Sequence, residues 1–515
     1  MKKLSLSILT LGMILFLAPS QAVKAQSGTD TLAPQVTTLH DKVVGVEERL
    51  ATAESSLDKL TKIKLSGYIQ AQWINYEQSS VYPGNYFMIR RARIKFTYEP
   101  VNGINFVLQP DFQPGNITIK DAYVQANDPW IKTFSLWAGK FNRPNYEVEY
   151  SSSSREVPER SRVIRAIYPD ERAIGAKLEI NPQKFPLKIQ LAIFNGNDGI
   201  SITNPAFNYG TNTYDAPTTV GQNTDFDNAK DFMGRVTYAF RFGRVGGLTI
   251  GAHAYYGKIK ANSLDVLNSD YTYNKTNSSI GATVPKQWIG FEGQLYLDVL
   301  GGLALKGEYI WGVNSTPGYS ASASVKSSST TGITDTLVVS NLTTTYIKSA
   351  PAISRKFSGY YVYLVKNIGK RNQIAVRYDY YNPNTGIGND KIGTKDGSYD
   401  AKVADVTKTT KTDYSGSGPV VETKTMTKTT TANSLTSGTA DIAYGTWTFA
   451  YSYFFTENIK FMVGYEMPMN KKVGTNDKGV GNVVTSYTVN NVKSTYDWSQ
   501  AVKQNILTVR LQVKF

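Results

Sequence analysis

The sequence predicts an all-β chain that forms a transmembrane antiparallel β-barrel of about 16 strands. The first supporting observation is the C-terminal segment, in which residues 507, 509, 511, 513 and 515 are apolar and the residues between them are polar. A period of two places the two sets on opposite faces of a strand. A soluble sandwich also shows such alternation, but a terminal aromatic strand behind an export signal is typical of an outer-membrane barrel.

The second observation is the composition. The chain has 34 Tyr, 21 Phe, 7 Trp and 42 Gly, which suit aromatic girdles and glycine turns, and no later apolar run is long enough for a membrane-spanning helix. It has no cysteine, which excludes a lipoprotein anchor, disulfides and thiolate chemistry. The formal net charge of +15 favours an anionic partner, and no nucleic-acid-binding motif accompanies it.

The third observation is that short and long connections alternate. Strands are predicted near residues 64–76, 85–99, 103–112, 118–127, 133–141, 172–181, 186–196, 230–242, 247–259, 286–298, 302–313, 355–367, 371–382, 440–454, 458–469 and 503–515. Short periplasmic turns, long external loops and an even strand count are the pattern of such barrels. A barrel of this size encloses an aqueous channel rather than a packed interior.

Residues 1–25 are predicted to be a cleavable signal peptide. They comprise a basic start, an apolar run from Leu4 to Leu17 and small residues around Ala25. The alternative is an uncleaved anchor, but its apolar run is too short to span a membrane comfortably. The predicted localisation is therefore the outer membrane of a Gram-negative cell.

Residues 26–63 are predicted to form a periplasmic heptad helix, a coiled coil that associates with copies of itself. Its apolar residues are spaced alternately by three and four, which is the a/d seam of a coiled coil. The seam consists of Val36, Leu39, Val43, Val46, Leu50, Ala53, Leu57 and Leu60. An amphipathic helix folded onto its own chain is the alternative. Residues 64–515 are predicted to be the barrel.

A basic ladder in the second strand is the strongest candidate for a site. Arg91, Arg93 and Lys95 share one face, about 7 Å apart along the strand, with Met88 and Arg90 on the lipid-side parity. Charged side chains that face lipid cost ~2–4 kcal/mol each near the midplane, so the ladder is predicted to line the lumen. Three cations in file would offer an anion successive weak sites. In the alternative, inward carboxylates of neighbouring strands neutralise the ladder.

The same parity argument places other charged residues on inward faces. The cations are Lys177, Lys188, Arg235, Lys306, Arg377, Lys460, Arg510 and Lys514. The carboxylates are Asp111, Asp121, Glu179, Glu292, Glu308, Asp379 and Glu466. The predicted lumen is therefore mixed in charge, with a modest excess of cations.

The link at 142–171 is the third external connection and is predicted to fold into the channel. Its arginines are candidate pore-lining, anion-binding residues, and they are Arg143, Arg155, Arg160, Arg162 and Arg165. Six carboxylates accompany them. The arginines either line a constriction or pair within the loop, and the sequence leaves both open.

Catalytic and metal-binding patterns are lacking in the sequence. Its two histidines, His40 and His253, have no serine or aspartate constellation around them, and no EF-hand-like loop occurs. No enzyme activity, metal or cofactor is therefore predicted.

Several segments resemble the phosphate-selective porin O and P family. They are Leu65–Gln70, Arg90–Arg93, Asp121–Tyr123, Gly139–Pro144 and the return strand with Pro169, Arg172 and Gly175. The resemblance runs in order over roughly residues 64–180 and includes the last strand. It implies a trimeric outer-membrane porin that carries anions along an arginine ladder, here Arg91 and Arg93, with Lys95 extending it. For the family's basic eyelet, the 142–171 link offers only arginines.

The sequence therefore predicts an outer-membrane porin, a homotrimer in outer-membrane lipid, for the passive passage of small inorganic anions. Phosphate or polyphosphate is the leading candidate because the planar guanidinium of arginine can bind two oxygens at once. One alternative is a general-diffusion porin with a weak preference for anions. Another is a structural or surface-adhesion barrel.

Overall fold

The computed structural model describes the chain with gaps. The described residues are 42–50, 52, 54, 62–77, 84–196, 200–202, 207–208, 213–214, 219–221, 228–263, 265–274, 282–298, 301–333, 336–394, 396–398, 403–413, 420–430, 434–489 and 492–515. The chain divides into two units, Met1–Lys62 and Ile63–Phe515. The predicted signal peptide and most of the heptad seam lie outside the described residues. No helix in the described part of the chain is long and apolar enough to cross a membrane.

The first unit contributes one helix, α1, at residues 42–50, and residues 52 and 54 are helical as well. Three residues of the predicted seam fall within it. Val43, Val46 and Leu50 are 50%, 61% and 56% exposed. An apolar stripe this open to solvent is what a helix presents to a partner. The coiled coil itself stays a prediction.

The second unit is a closed antiparallel barrel of 16 strands, as predicted. The strands are β1 Ile63–Tyr76, β2 Asn85–Val101, β3 Ile104–Gln113, β4 Asn116–Asn127, β5 Phe134–Asn142, β6 Arg172–Ile180, β7 Leu187–Phe194, β8 Asp231–Arg241, β9 Gly246–Lys260, β10 Thr283–Leu297, β11 Leu303–Thr316, β12 Ala352–Ile368, β13 Asn372–Asn382, β14 Tyr444–Phe454, β15 Ile459–Asn470 and β16 Ile506–Lys514. Every predicted strand is present, and most ends differ by one to three residues.

The barrel closes through the pairing of β1 with β16. Tyr68 lies opposite Lys514 and Tyr76 opposite Ile506 in an unbroken register. Beyond the strand end, the backbones of Gly67 and Phe515 exchange two hydrogen bonds of 3.0 Å. A Cβ at position 67 would lie 2.5 Å from the carbonyl oxygen of Arg93 and 2.6 Å from the Phe515 ring, so glycine suits this closely packed position. Closure leaves no free sheet edge.

The long connections carry their own structure. The link after β5 contains α2 (Tyr146–Glu149) and α3 (Arg162–Ile167). Four long strands of two other links, Tyr319–Ile333, Thr336–Ala350, Val403–Asp413 and Val420–Thr430, form one separate sheet. The link before β14 includes a 3-10 helix at Thr439–Asp441.

The two faces of the barrel differ as the alternation predicts. The outward face is apolar and exposed, with examples at Ile69, Phe106, Phe291 and Val513. The inward face carries the charged residues placed there by parity, and most of them are buried. An apolar outer band and a polar interior are the arrangement of a barrel in a membrane.

A β-bulge in β2 changes the parity that the sequence predicts. Gln70 pairs with Arg91, but the next residue of β1, Ala71, pairs with Ile89, so Arg90 is the extra residue. A bulge lets two residues oppose one and shifts the faces on its far side. Arg90 therefore reaches the inner loop rather than the lipid side. Met88 also lies inward, where its sulfur accepts a hydrogen bond from the side chain of Gln72.

Candidate functional site

The link between β5 and β6, residues 143–171, lies inside the barrel, as predicted, and is called the inner loop below. It reaches opposite walls within a few residues. Glu149 bonds Arg235 of β8 at 2.8 Å, and the carbonyl of Ser153 accepts a 2.9 Å hydrogen bond from Gln512 of β16. These two strands stand half a circuit apart in the order of strands. The inner loop therefore crosses the lumen.

Apolar packing fixes one end of the inner loop against the wall. Its buried apolar residues form one cluster with inward-facing aromatics of the strands. Tyr168 accepts a hydrogen bond of 2.9 Å from Trp288 of β10, whose ring stacks on Tyr255 at 4.1 Å. The loop's members of the cluster are Tyr146, Val148, Val157, Val163, Ile164, Ile167 and Tyr168. This part of the barrel is packed rather than open.

The basic ladder lies on the inward face, but its members differ in surroundings. Arg93 is buried, bonds Asp111 at 2.8 Å and donates to Tyr68 at 3.0 Å. Arg91 is buried as well and lies 3.6 Å from Glu159, a carboxylate of the inner loop. Lys95 is half-buried, and no carboxylate of the described residues lies within ion-pair distance of its ammonium group. Arg93 is thus neutralised by Asp111, Arg91 shares Glu159 with other arginines, and Lys95 has no ion-pair partner among the described residues.

Glu159 is the centre of an arginine cluster. It receives a bidentate pair from Arg90 at 2.8 and 2.9 Å and a 3.1 Å bond from Arg510, besides the contact with Arg91. Burial raises the pKa of Glu159, but the nearby charges of Arg90 and Arg91 outweigh burial and hold this pKa well below its usual value. Three arginines around one carboxylate leave a surplus of positive charge at this level of the lumen.

The inner-loop arginines fall into two groups. Arg143 is fully buried, bonds the carbonyl of Asp170 and lies over the ring of Tyr168, so it holds the base of the loop. Arg155 and Arg160 are buried, and both contact Glu171. The second group, Arg162 and Arg165, lies on the side of the loop away from the ladder.

A cavity of about 350 Å³ lies on one side of the inner loop, next to Arg93 and Lys95 of the ladder, and is called the basic cavity below. Its lining has five cationic side chains, Arg93, Lys95, Arg160, Arg172 and Lys514, and two carboxylate side chains, Asp121 and Glu149. A neighbouring cavity of about 300 Å³ shares Lys95 and is lined by Lys177 and Lys188 as well. Lys95 is the cation common to both.

A second cavity, of about 570 Å³, lies on the other side of the inner loop and is called the outer cavity. Arg162 lies over the ring of Tyr444 at 4.1 Å, and Arg165 is exposed. Glu466 is a carboxylate in the same lining, beside several aromatic rings. All five loop arginines predicted as site residues are therefore inside the barrel, but they do not converge on one point.

Three residues of this arrangement were not singled out as site residues from the sequence. Glu159 was one of six loop carboxylates, and nothing local distinguishes it from the others. Arg172 begins β6 and bonds Asp121 at 2.9 Å inside the basic cavity. Lys514 was placed inward by parity, yet its membership of the cavity depends on barrel closure. Arg172 and Lys514 could have been identified from the sequence by their positions at the ends of predicted strands.

A closed barrel with an apolar outer band, a charged lumen and a loop folded across it defines an outer-membrane channel of the porin type. Residues 63–300 match the family model described as phosphate-selective porin O and P. This match confirms the resemblance seen in the sequence over that range.

Solved structures of other porins are similar to the chain at low identity. The anion-selective porin from Comamonas acidovorans is 10% identical, with 88% of this chain and 99% of that chain covered and a TM-score of 0.46. OprB of Pseudomonas putida is 8% identical, with 90% and 96% covered and a TM-score of 0.44. The outer membrane channel DcaP of Acinetobacter baumannii is 11% identical, with 88% and 97% covered and a TM-score of 0.41. A comparison with curated proteins finds no match.

Proposed function

We propose that this barrel is a passive channel for small anions, with phosphate or polyphosphate as the leading candidate. The observation that carries the proposal is the basic cavity, where cationic side chains outnumber carboxylate side chains by five to two. Lys95 and Lys514 have no ion-pair partner among the described residues. A cavity of this sign concentrates anions and repels cations.

Donors without partners support an anion as the passing species. Arg91 Nε and both Nε and Nη1 of Arg155 are buried and lack a hydrogen-bond acceptor among the described residues. A buried donor left unsatisfied costs ~1–3 kcal/mol, so such groups gain from an anion or water. Phosphate offers several oxygens at once, and a guanidinium can bind two of them.

A general-diffusion porin with weak anion preference is the second candidate. It is favoured by the pairing of Arg93 with Asp111 and of Arg91 with Glu159, because a paired arginine attracts a passing ion weakly. The apolar cluster that fills part of the lumen supports the third candidate, a structural or surface-adhesion barrel. We place no catalytic role on any residue of the described lumen.

The remaining parts of the proposal concern assembly. The exposed apolar band supports contact with outer-membrane lipid. A homotrimer is proposed from the family and from the exposed seam of α1. A neighbour titled as the trimer form of OmpT of Vibrio cholerae has the same architecture but is only 9% identical. Residues 1–25 as a cleaved signal, 26–63 as a periplasmic coiled coil and 64–515 as the barrel complete the proposal.

The test is single-channel current in a planar bilayer. A chloride gradient gives the sign of selectivity, and phosphate is then titrated in. We expect a reversal potential of anion sign, a conductance that saturates with salt and a chloride current blocked by low phosphate. A conductance that rises linearly with salt and ignores phosphate would support the general-diffusion porin, and no conductance would support the structural barrel.

A further inference from the structure

A second cluster of ionisable groups lies on the inner wall, outside the basic cavity. His253, Glu292 and Glu308 belong to the adjacent strands β9, β10 and β11, and Glu292 lies directly opposite Glu308 in the register. All three are buried, and their ligand atoms lie within 4.8 Å of one another. The anion path described above does not use them.

His253 is unsatisfied in this cluster. It is 3% exposed, and neither ring nitrogen has a hydrogen-bond partner among the described residues. Its Nδ1 lies 3.7 Å from Oε1 of Glu308, too far for a hydrogen bond. The ring occupies space left by Gly290, since a Cβ there would lie 2.3 Å from it. A buried imidazole with both nitrogens free is a costly arrangement unless something binds it.

The charge around His253 is also unbalanced. Glu292 is paired with Arg235 at 2.7 Å, but Arg235 bonds Glu149 of the inner loop as well. Glu308 accepts hydrogen bonds from Tyr361 and from Asn145, and no lysine or arginine of the described residues forms an ion pair with it. Buried carboxylates are normally paired or bound to a metal. A cation at this point would supply the missing positive charge.

The ligand chemistry selects the kind of cation. One imidazole nitrogen and two carboxylate oxygens suit Zn²⁺ and similar transition metals, whereas Ca²⁺ and Mg²⁺ prefer oxygen ligands alone. Tetrahedral Zn²⁺ places its ligand atoms about 3.4 Å apart, and Nδ1 of His253 is already 3.7 Å from Glu308. A carboxylate has about four lone-pair sites, so Glu292 can bind a metal while it remains bonded to Arg235.

We propose that His253, Glu292 and Glu308 form a binding site for a divalent transition metal of the Zn²⁺ type in the barrel wall. A metal at this site would fix the position of the inner loop through Glu308. Asn145, which caps α2 by accepting from Val148 at 3.2 Å, donates to Glu308 at 2.9 Å. The metal would orient this carboxylate and with it the start of α2. Because the inner loop covers the site, exchange of the ion should be slow.

The test is the metal content of the refolded protein. The untagged full chain is refolded in detergent with Zn²⁺, Mg²⁺ or Ca²⁺, passed through a desalting column and analysed by mass spectrometry of the elements. The variants are His253→Ala and Glu308→Gln, the second of which keeps the size of the side chain. The controls are His40→Ala, which removes the other histidine, and Glu466→Gln, a buried inward carboxylate of β15. Folding is checked by the heat-dependent shift in gel mobility.

We expect about one Zn²⁺ per chain in the wild type and both controls, and little Mg²⁺ or Ca²⁺. His253→Ala and Glu308→Gln should each weaken Zn²⁺ binding at least ~10-fold. Co²⁺ loaded in place of Zn²⁺ should give a visible absorption that both variants lose. Wild-type protein that folds but retains no Zn²⁺, or retention unchanged in both variants, would overturn the proposal. Neither result bears on anion passage, which bilayer currents measure separately.

Discussion

Lys95 gives the sharpest test of the proposed channel. It lines the basic cavity and the neighbouring cavity of about 300 Å³, and it has no ion-pair partner in the described part of the chain. Replacing it with Gln removes one charge and leaves most of the side-chain volume. The neighbouring pairs of Arg93 and Arg172 with their carboxylates should not change.

The size of the effect follows from Coulomb's law. An anion about 4 Å from a unit charge is held by about 1 kcal/mol in bulk water and about 4 kcal/mol at an effective dielectric constant of 20. Lys95 is half-buried and faces an open cavity, so the lower half of this range applies. A loss of about 1–2 kcal/mol corresponds to an affinity for the anion about 5- to 30-fold weaker.

The assay is the block of chloride current by phosphate, titrated on single channels in a planar bilayer. Lys95→Gln should raise the half-blocking phosphate concentration by the factor given above, and Lys95→Arg should restore the block. The matched control is Lys258→Gln, an equal change in net charge at an exposed, outward-facing position of β9. A half-blocking concentration that is equal in Lys95→Gln and wild type would refute the assignment of Lys95 to the anion path.

Three further predictions concern the loop, the wall and the first unit. Glu159→Gln should destabilise the inner loop by about 3 kcal/mol and raise open-channel noise at neutral pH. Because the folded pKa of Glu159 is depressed, its stabilisation is fully present above the unfolded pKa of about 4.3 and is lost as the pH falls through the lower folded pKa. Wild-type noise should therefore rise towards that of the variant only below about pH 4, and equal noise in the two proteins at neutral pH would contradict this. Gly175→Ala places a Cβ 1.9 Å from the Ile193 carbonyl oxygen and should lower the stability of the barrel by about 1–3 kcal/mol. Its heat-dependent shift in gel mobility should therefore occur at a lower temperature than that of Gly293→Ala, whose Cβ meets nothing within 4 Å. Deleting residues 26–62 should abolish the oligomer on native gels, and oligomers that survive unchanged would show that the helix has no role in assembly.

Strand positions were predictable because each strand carries its own period of two and its own turn residues. The largest shift at the start of a strand is at β14, which was expected from residue 440 and begins at Tyr444. There Thr439–Asp441 forms a 3-10 helix that the alternating pattern does not register. Local alternation thus predicts a strand well, but it marks its first residue poorly where another local structure competes.

The side on which Arg90 lies was not predictable from parity. A bulge adds one residue to β2, and only its pairing with β1 reveals the position of the extra residue. The same limit applies to Glu159, whose partners come from β2 and β16, remote from it along the chain. The sequence therefore predicts which cations of the later part of β2 face inward. It does not predict which of these cations form ion pairs with carboxylates.

The inner loop also has a mechanical consequence. A closed sheet resists stretching along its hydrogen bonds, but its cross-section can flatten with little change in those bonds. Here Glu149 ties the loop to β8 and Ser153 ties it to β16, so two facing walls are joined through five residues of chain. Flattening in either direction would strain these bonds. The bore should therefore keep its shape when the lateral pressure or thickness of the surrounding bilayer changes.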